Sequence, residues 1–242
     1  MAALLEIIFI KMPRPDLLAP LLILFLSLLT VKIRLLNMAA ALSGALIAWC
    51  IWLGTGLNGL VLLAVFFVSG AGVTRLVRTE KKAQGADRKA SQVWANGGVA
   101  AVLGLLACII PNKADYYLLL LAAAIAAATG DTLSSELGTR YGKRFFNCIS
   151  WKPDQRGADG VISWEGIAFG ILGSGLIALV AWLLAFDGEA AILILVAGIA
   201  GNLSDSFMGA RWQRKGYLNN DLVNLLNTVV AVVCIILLIL AF

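Results

Sequence analysis

The feature that most constrains this chain is a repeated alternation: apolar stretches nearly free of charge, each roughly 15–23 residues long, separated by connections that hold most of the charge. A helix rises 1.5 Å per residue, so about 20 mostly apolar residues cross the ~30 Å of hydrocarbon in a bilayer. Lipid offers no hydrogen bonds, so such a segment must satisfy its backbone internally, as a helix does. The candidate spans lie at about residues 17–31, 38–54, 57–74, 92–111, 115–133, 164–186, 189–208 and 221–241. Charged residues make up 14% of the 242, against about a quarter in a soluble domain, and hydrophobic residues make up 61%. The expectation is an all-α, polytopic transmembrane bundle of about eight spans, or seven if one run does not cross. Residues 1–242 then form a single integral membrane domain with no soluble domain.

The connections alternate in charge. Those around residues 54–56, 111–114 and 187–189 are short. The other four hold sixteen of the nineteen Lys and Arg residues, including Lys32, Arg75, Arg88, Arg140, Lys143, Arg156 and Arg211. With eight spans these four connections share one side. Positive residues favour the cytoplasmic side, which puts the motif loops there and both termini outside. The net charge of +5 then follows from topology and needs no nucleic-acid partner. Residues 1–10 are apolar but short, and Lys11 and Arg14 follow them. That order does not fit a cleaved signal peptide and suggests an interfacial or partly inserted segment.

Histidine is absent, which excludes His-based acid–base catalysis, His triads and His metal ligands. The four cysteines are widely separated, with no CxxC or zinc spacing, so they read as structural thiols.

Acidic groups near membrane depth cost at least a few kcal/mol each, so their presence calls for a reason. Asp131 ends the fifth apolar run in Thr-Gly-Asp-Thr-Leu-Ser-Ser-Glu-Leu-Gly (129–138), and Asp205 ends the seventh in Gly-Asn-Leu-Ser-Asp-Ser-Phe-Met-Gly-Ala (201–210). Both stretches combine small residues, an acid, hydroxyls and glycine. Such oxygen ligands suit Mg²⁺, which binds one or two carboxylates together with substrate phosphates. The same residues can also simply link helices by hydrogen bonds. Glu136 lies one and a half turns beyond Asp131, near the same surface but off its stripe. Gln92 and Asn96 share a face in the first turns of the fourth run, just after Arg88 and Lys89. That arrangement fits an anion site or contact with lipid headgroups. The loop with Arg156, Asp159 and Ser163 is glycine-flanked. It can turn N–H groups toward phosphate, or serve as an ordinary turn in which Ser163 caps the next helix. Asp221, Asn224 and Asn227 drift slowly around one helix face and point to a polar cavity. The run 138–144 resembles a phosphate-binding P-loop but is one residue short and lacks the final Ser/Thr, so it is not one.

These motifs resemble the DUF92 integral membrane family, which includes the plant phytyl-phosphate kinase of tocopherol synthesis. The matches are Arg88-x-x-x-Gln92-Val-x-Ala-Asn-Gly97, Gly130-Asp-Thr-Leu-Ser-Ser-Glu-Leu-Gly138, Gly160-Val-Ile-Ser-x-x-Gly166 and Asp205-Ser-x-x-Gly-Ala210 with Gln213. They fall in family order within a motif-bearing part at 75–227. The resemblance implies phosphoryl transfer from a nucleoside triphosphate, with CTP favoured, to an isoprenyl monophosphate of the phytyl or geranylgeranyl kind. It implies Mg²⁺ on Asp131, Glu136 and Asp205 as the catalytic acids. Phosphate and nucleotide contacts would come from Arg88, Gln92, Asn96, Lys143, Arg156, Asp159, Ser163, Asn202, Ser206, Gln213, Asn224 and Asn227. Membrane lipids surround such a chain, and a homo-oligomer is compatible with it. The competing expectation is a transporter or scramblase of a polyprenyl phosphate or other anionic lipid, which would need polar residues continuing to the far face. A purely structural membrane protein is the third reading.

Overall fold

A computed structural model describes residues 18–77 and 89–241. The N-terminal segment and Arg88 therefore lie outside the described residues. Among the described residues there are seven α-helices: α1 Leu18–Lys32, α2 Met38–Val77, α3 Ala90–Ile109, α4 Ala114–Tyr141, α5 Trp164–Leu184, α6 Gly188–Arg211 and α7 Asn220–Ala241. Two short 3₁₀ turns, Pro111–Lys113 and Gln213–Lys215, accompany them. The protein is an all-α, polytopic membrane protein, and six of its helices are long and apolar enough to cross a bilayer.

The forty residues of α2 comprise two of the expected spans. Gly56, at φ 59° and ψ −142°, leaves helical geometry between them, in a region that favours glycine. The packing shows that the chain reverses there. Ala40 and Ala41 share a small core with Phe67, although along a straight helix they would stand about 40 Å apart. Helix α1 covers 15 residues, shorter than a full perpendicular span.

Polar side chains start several helices. Asn37 accepts from the backbone N–H of Ala40 at 2.8 Å, Asp187 from Ala190 at 2.8 Å and Asn219 from Leu222 at 2.8 Å. Each satisfies an N–H that the first turn leaves unpaired.

Helix α4 lies at the centre, packed against α2, α3, α5, α6 and α7. Every residue from 120 to 130 is buried, and six of these are alanines whose small side chains let the surrounding helices approach. The described parts of the four charged connections meet at one end of the bundle, here termed the motif face. Arg75, near the end of α2, donates to the carbonyl of Ile33, and Thr74 bonds Glu136 on α4. Gln213 and Arg214, beyond α6, both bond Asp159 in the loop before α5.

Candidate functional site

Helices α4 and α6 both run toward the motif face, so each carries its acid to a similar level. Asp131 lies about 15 Å below the end of α4, and Asp205 about 9 Å below the end of α6. The two carboxyls line the same cavity. Ser134, Ser135 and Gly138 follow Asp131 at i+3, i+4 and i+7, along one helix face. Ser206, Gly209 and Gln213 follow Asp205. These residues wall a cavity of about 210 Å³, completed by Thr139, Phe145, Ser163, Gly166, Asn220 and the loop segment 157–162.

Glycines set the close approaches around the cavity. A Cβ at Gly138 would sit 2.6 Å from the Gly166 Cα, so α4 and α5 touch through bare backbone at the cavity's edge. A Cβ at Gly209 would lie 2.8 Å from the Gly160 nitrogen, which shows how closely the loop settles on α6.

The loop between α4 and α5 forms the roof. Phe146–Asn147 pairs antiparallel with Val161–Ile162, and the Cys148 N–H donates to the Gly160 carbonyl at 3.1 Å. Arg214 ion-pairs with Asp154 at 2.7 Å and also donates to the Asp159 carbonyl, while Gln213 donates to the Asp159 carboxylate at 3.0 Å. The Asp154 carboxyl is held below its usual range, first by the Gln155 backbone N–H and then by Arg214. Cys148 donates to the Ser206 carbonyl at 3.1 Å, and burial pushes its thiol up.

The cavity gathers six of the expected site residues: Asp131, Asp159, Ser163, Asp205, Ser206 and Gln213. Ser163 is also the cap of α5, accepting from Gly166 at 3.0 Å. Asn227 adjoins Asp205. Its side-chain N–H donates to the Asp205 carboxylate at 3.0 Å, and the residue is fully buried. Asn202 is buried against Gly170 and Gly130, between α5 and α4. Asn224, one turn toward the motif face from Asn227, is not among the lining residues.

Other expected residues sit elsewhere. Glu136, five residues past Asp131, is rotated about 140° around α4, away from the cavity. It accepts instead from Thr74 of α2 at 2.7 Å. Gln92 accepts from the Lys89 backbone N–H at 3.0 Å and so closes the first turn of α3, while Asn96 donates to the Gln92 carbonyl at 2.9 Å. Arg156 lies over the Phe145 ring, 5.8 Å from its centre, which places it at the cavity rim. Lys143 is exposed at the end of α4.

Sequence reasoning passed over Ser134, Ser135, Thr139 and Asn220. The first three were legible as hydroxyls at i+3, i+4 and i+8 from Asp131. Asn220 carries no local signal, since only the packing of α7 brings it to the cavity.

Among the described residues, no group of three or more His, Cys, Asp and Glu side chains is placed to hold a metal. The expected trio with Glu136 is therefore not assembled. The acids brought together are Asp131 and Asp205, surrounded by hydroxyl and amide oxygens. That all-oxygen set with two carboxylates fits a hard divalent ion that keeps waters and accepts phosphate oxygens as further ligands.

The model of the integral membrane protein family DUF92 matches residues 21–232. The chain belongs to the DUF92 family. The match covers every residue of the cavity. A DUF92 relative in Methanocaldococcus jannaschii, an uncharacterized membrane protein, is 36% identical over 213 residues, covering 87% of this chain and 88% of its own. An uncharacterized membrane protein of Synechocystis is 36% identical over 190 residues, covering 74% of this chain and 72% of its own. The chloroplastic protein VTE6 of Arabidopsis thaliana is 33% identical over 190 residues, which is 73% of this chain but 57% of VTE6. No solved structure matches the chain.

Proposed function

We propose that this DUF92 protein is a prenyl-phosphate kinase that transfers the terminal phosphoryl group of a nucleoside triphosphate to an isoprenyl monophosphate. The observation that carries the reading is that Asp131 and Asp205 line one hydroxyl-rich cavity at the motif face. Similarity to VTE6 and the motif resemblance to the phytyl-phosphate kinase branch support it. CTP as donor and a phytyl- or geranylgeranyl-like acceptor belong to the same proposal.

The chemistry asks little of the side chains beyond position and charge. An oxygen of the acceptor monophosphate attacks the terminal phosphorus of the donor. A new P–O bond forms, the bond to the bridging oxygen breaks, and the nucleoside diphosphate leaves with that electron pair. The acceptor is already anionic near neutral pH, its second pKa being about 6, so no strong base is required. The absence of histidine is therefore no obstacle. Catalysis rests on alignment and charge neutralisation. Asp131 and Asp205 would hold Mg²⁺, which when bound neutralises charge on the phosphate oxygens. The hydroxyls of Ser134, Ser135, Thr139 and Ser206 donate to phosphate oxygens, and Gln213 fixes the roof through Asp159. Arg156 at the rim and Arg214 in the roof supply positive charge. The prenyl chain lies among the helices, with its phosphate at the motif face. That face is cytoplasmic by the charge of its connections.

A conduit for lipid phosphates would need a polar path through the bundle. Below Asp131, however, α4 is a buried run of apolar and small residues. Of the described buried polar side chains, Thr129, Ser163, Asn202, Asn227 and Thr228 lie in the half toward the motif face, and Ser174, which donates to the Ala126 carbonyl, lies at mid-depth. The experiment is direct: solubilised protein, Mg²⁺, each nucleoside triphosphate and a prenyl monophosphate, with the diphosphate read by mass spectrometry. Formation of the diphosphate with ATP, GTP, UTP or CTP supports the reading, and no product with any pairing of folded protein removes it.

A further inference from the structure

The Asn227 amide is oriented by one bond. Its nitrogen donates to the Asp205 carboxylate at 3.0 Å, which leaves the carbonyl oxygen on the other arm of the same planar group. That oxygen is buried and has no hydrogen-bond partner among the described residues, and the whole residue is 0% exposed. Turning the amide over would set an oxygen against a carboxylate oxygen, so the orphan is not relieved by a flip. Buried polar atoms are nearly always paired, and an exception at a cluster of acids points to an ion that completes it.

We infer that the Asn227 side-chain oxygen is the third protein ligand of a divalent-cation site whose other two ligands are Asp131 and Asp205. The three come from three helices, α7, α4 and α6. Two carboxylates and one neutral amide oxygen form a hard set suited to an octahedral ion that fills its remaining positions with water and phosphate. Glu136, bonded to Thr74, stands outside the set. The inference rests on the kinase reading for the ion's role, but the site can be tested without turnover.

The measurement is binding of Mn²⁺ alone, without nucleotide, to the detergent-solubilised full-length protein, followed by electron paramagnetic resonance. Melting temperature in chelator checks the fold of each variant. Asn227→Leu should weaken Mn²⁺ binding at least about tenfold, the loss typical when a group supporting a metal site is removed. If leucine prevents folding, Asn227→Ser, too short to reach the site, carries the same expectation. Asn227→Asp keeps an oxygen where the ligand stood and should bind Mn²⁺ as tightly as the unaltered protein or more tightly. Glu136→Gln should leave Mn²⁺ affinity unchanged.

Equal weakening in Asn227→Asp and Asn227→Leu would overturn the inference, because it would mean that the amide serves only as a hydrogen-bond donor positioning Asp205. Unchanged affinity in Asn227→Leu, or no Mn²⁺ binding to the unaltered protein, would overturn it too. Prenyl diphosphate formation alongside any of these results keeps the kinase reading while removing this ligand. Tight, Asn227-dependent Mn²⁺ binding without any product does the reverse.

Discussion

Asp131 and Asp205 sit where a carboxylate is costly, and the residues around them explain how the fold tolerates them. Each ends an apolar run below the motif face; Asp131 has Ser134 and Ser135 one turn on, while Asp205 has Ser206 next to it and accepts from the Asn227 amide. The cavity's shape depends as much on residues without side chains. Gly160 holds a φ of +68°, and a Cβ there would run into Ala210. Gly160→Ala should therefore lift the roof from α6 at a cost of about 1–3 kcal/mol, read as a lower melting temperature and a raised KM for the nucleotide. The acids were legible from their depth in apolar runs. Their pairing was hinted at only by the likeness of the two stretches, because a contact between residues 131 and 205 is a fact of packing. Glu136 shows the opposite limit. Its place in a motif suggested a shared role, yet five residues of helix turn it toward Thr74. Ser163 was open between a phosphate loop and a cap, and it is the cap as well as part of the cavity wall; Gln92, read with Asn96 as an anion site or a headgroup contact, instead closes the first turn of α3.

At the scale of elements, the roof loop is the part most open to perturbation. It is fastened to α6 by the Asp154–Arg214 pair and the bonds from Gln213 and Arg214 to Asp159. The pair is exposed to solvent and screened, so Asp154→Asn should loosen the roof only modestly. Cys148 reports this, since its thiol sits against the Ser206 carbonyl and burial holds its pKa up. Maleimide labelling of Cys148 at neutral pH should be slow in the unaltered protein and faster in Asp154→Asn; identical rates would show that the pair does not close the roof. The pH dependence has a definite sign. Because the folded Asp154 carboxyl lies below its ordinary value of 3.8, the pair's contribution is complete above that value and is lost as pH falls through the lowered one. Labelling corrected for thiolate content should accordingly not rise between pH 7 and about pH 5. The sequence showed this loop as glycine-flanked and charged, but its small sheet depends on pairing across the loop, and the seat of Gly160 on Gly209 depends on a partner more than forty residues away.

For the whole molecule, hydropathy was the strongest signal, because a bilayer imposes length and helicity on any span. The expected spans at 38–54 and 57–74 occur as two arms of one helix broken at Gly56, within the short connection expected around 54–56. The described parts of the connections rich in Lys and Arg contact one another at one end of the bundle. Placing that end in the cytoplasm predicts that, in a background without the native cysteines, Lys152→Cys reacts with a membrane-impermeant maleimide only after cells are opened. Lys113→Cys, at the opposite end, should react in intact cells. The central claim is phosphoryl transfer dependent on the paired acids, and one assay tests it most directly: formation of prenyl diphosphate from prenyl monophosphate, nucleoside triphosphate and Mg²⁺ by the solubilised protein and by folded Asp131→Asn and Asp205→Asn. The account predicts product from the unaltered protein and a loss of at least about a hundredfold in kcat in each variant, the scale expected when charge stabilisation is removed from a transition state. Product formed at undiminished rate by both variants would contradict it.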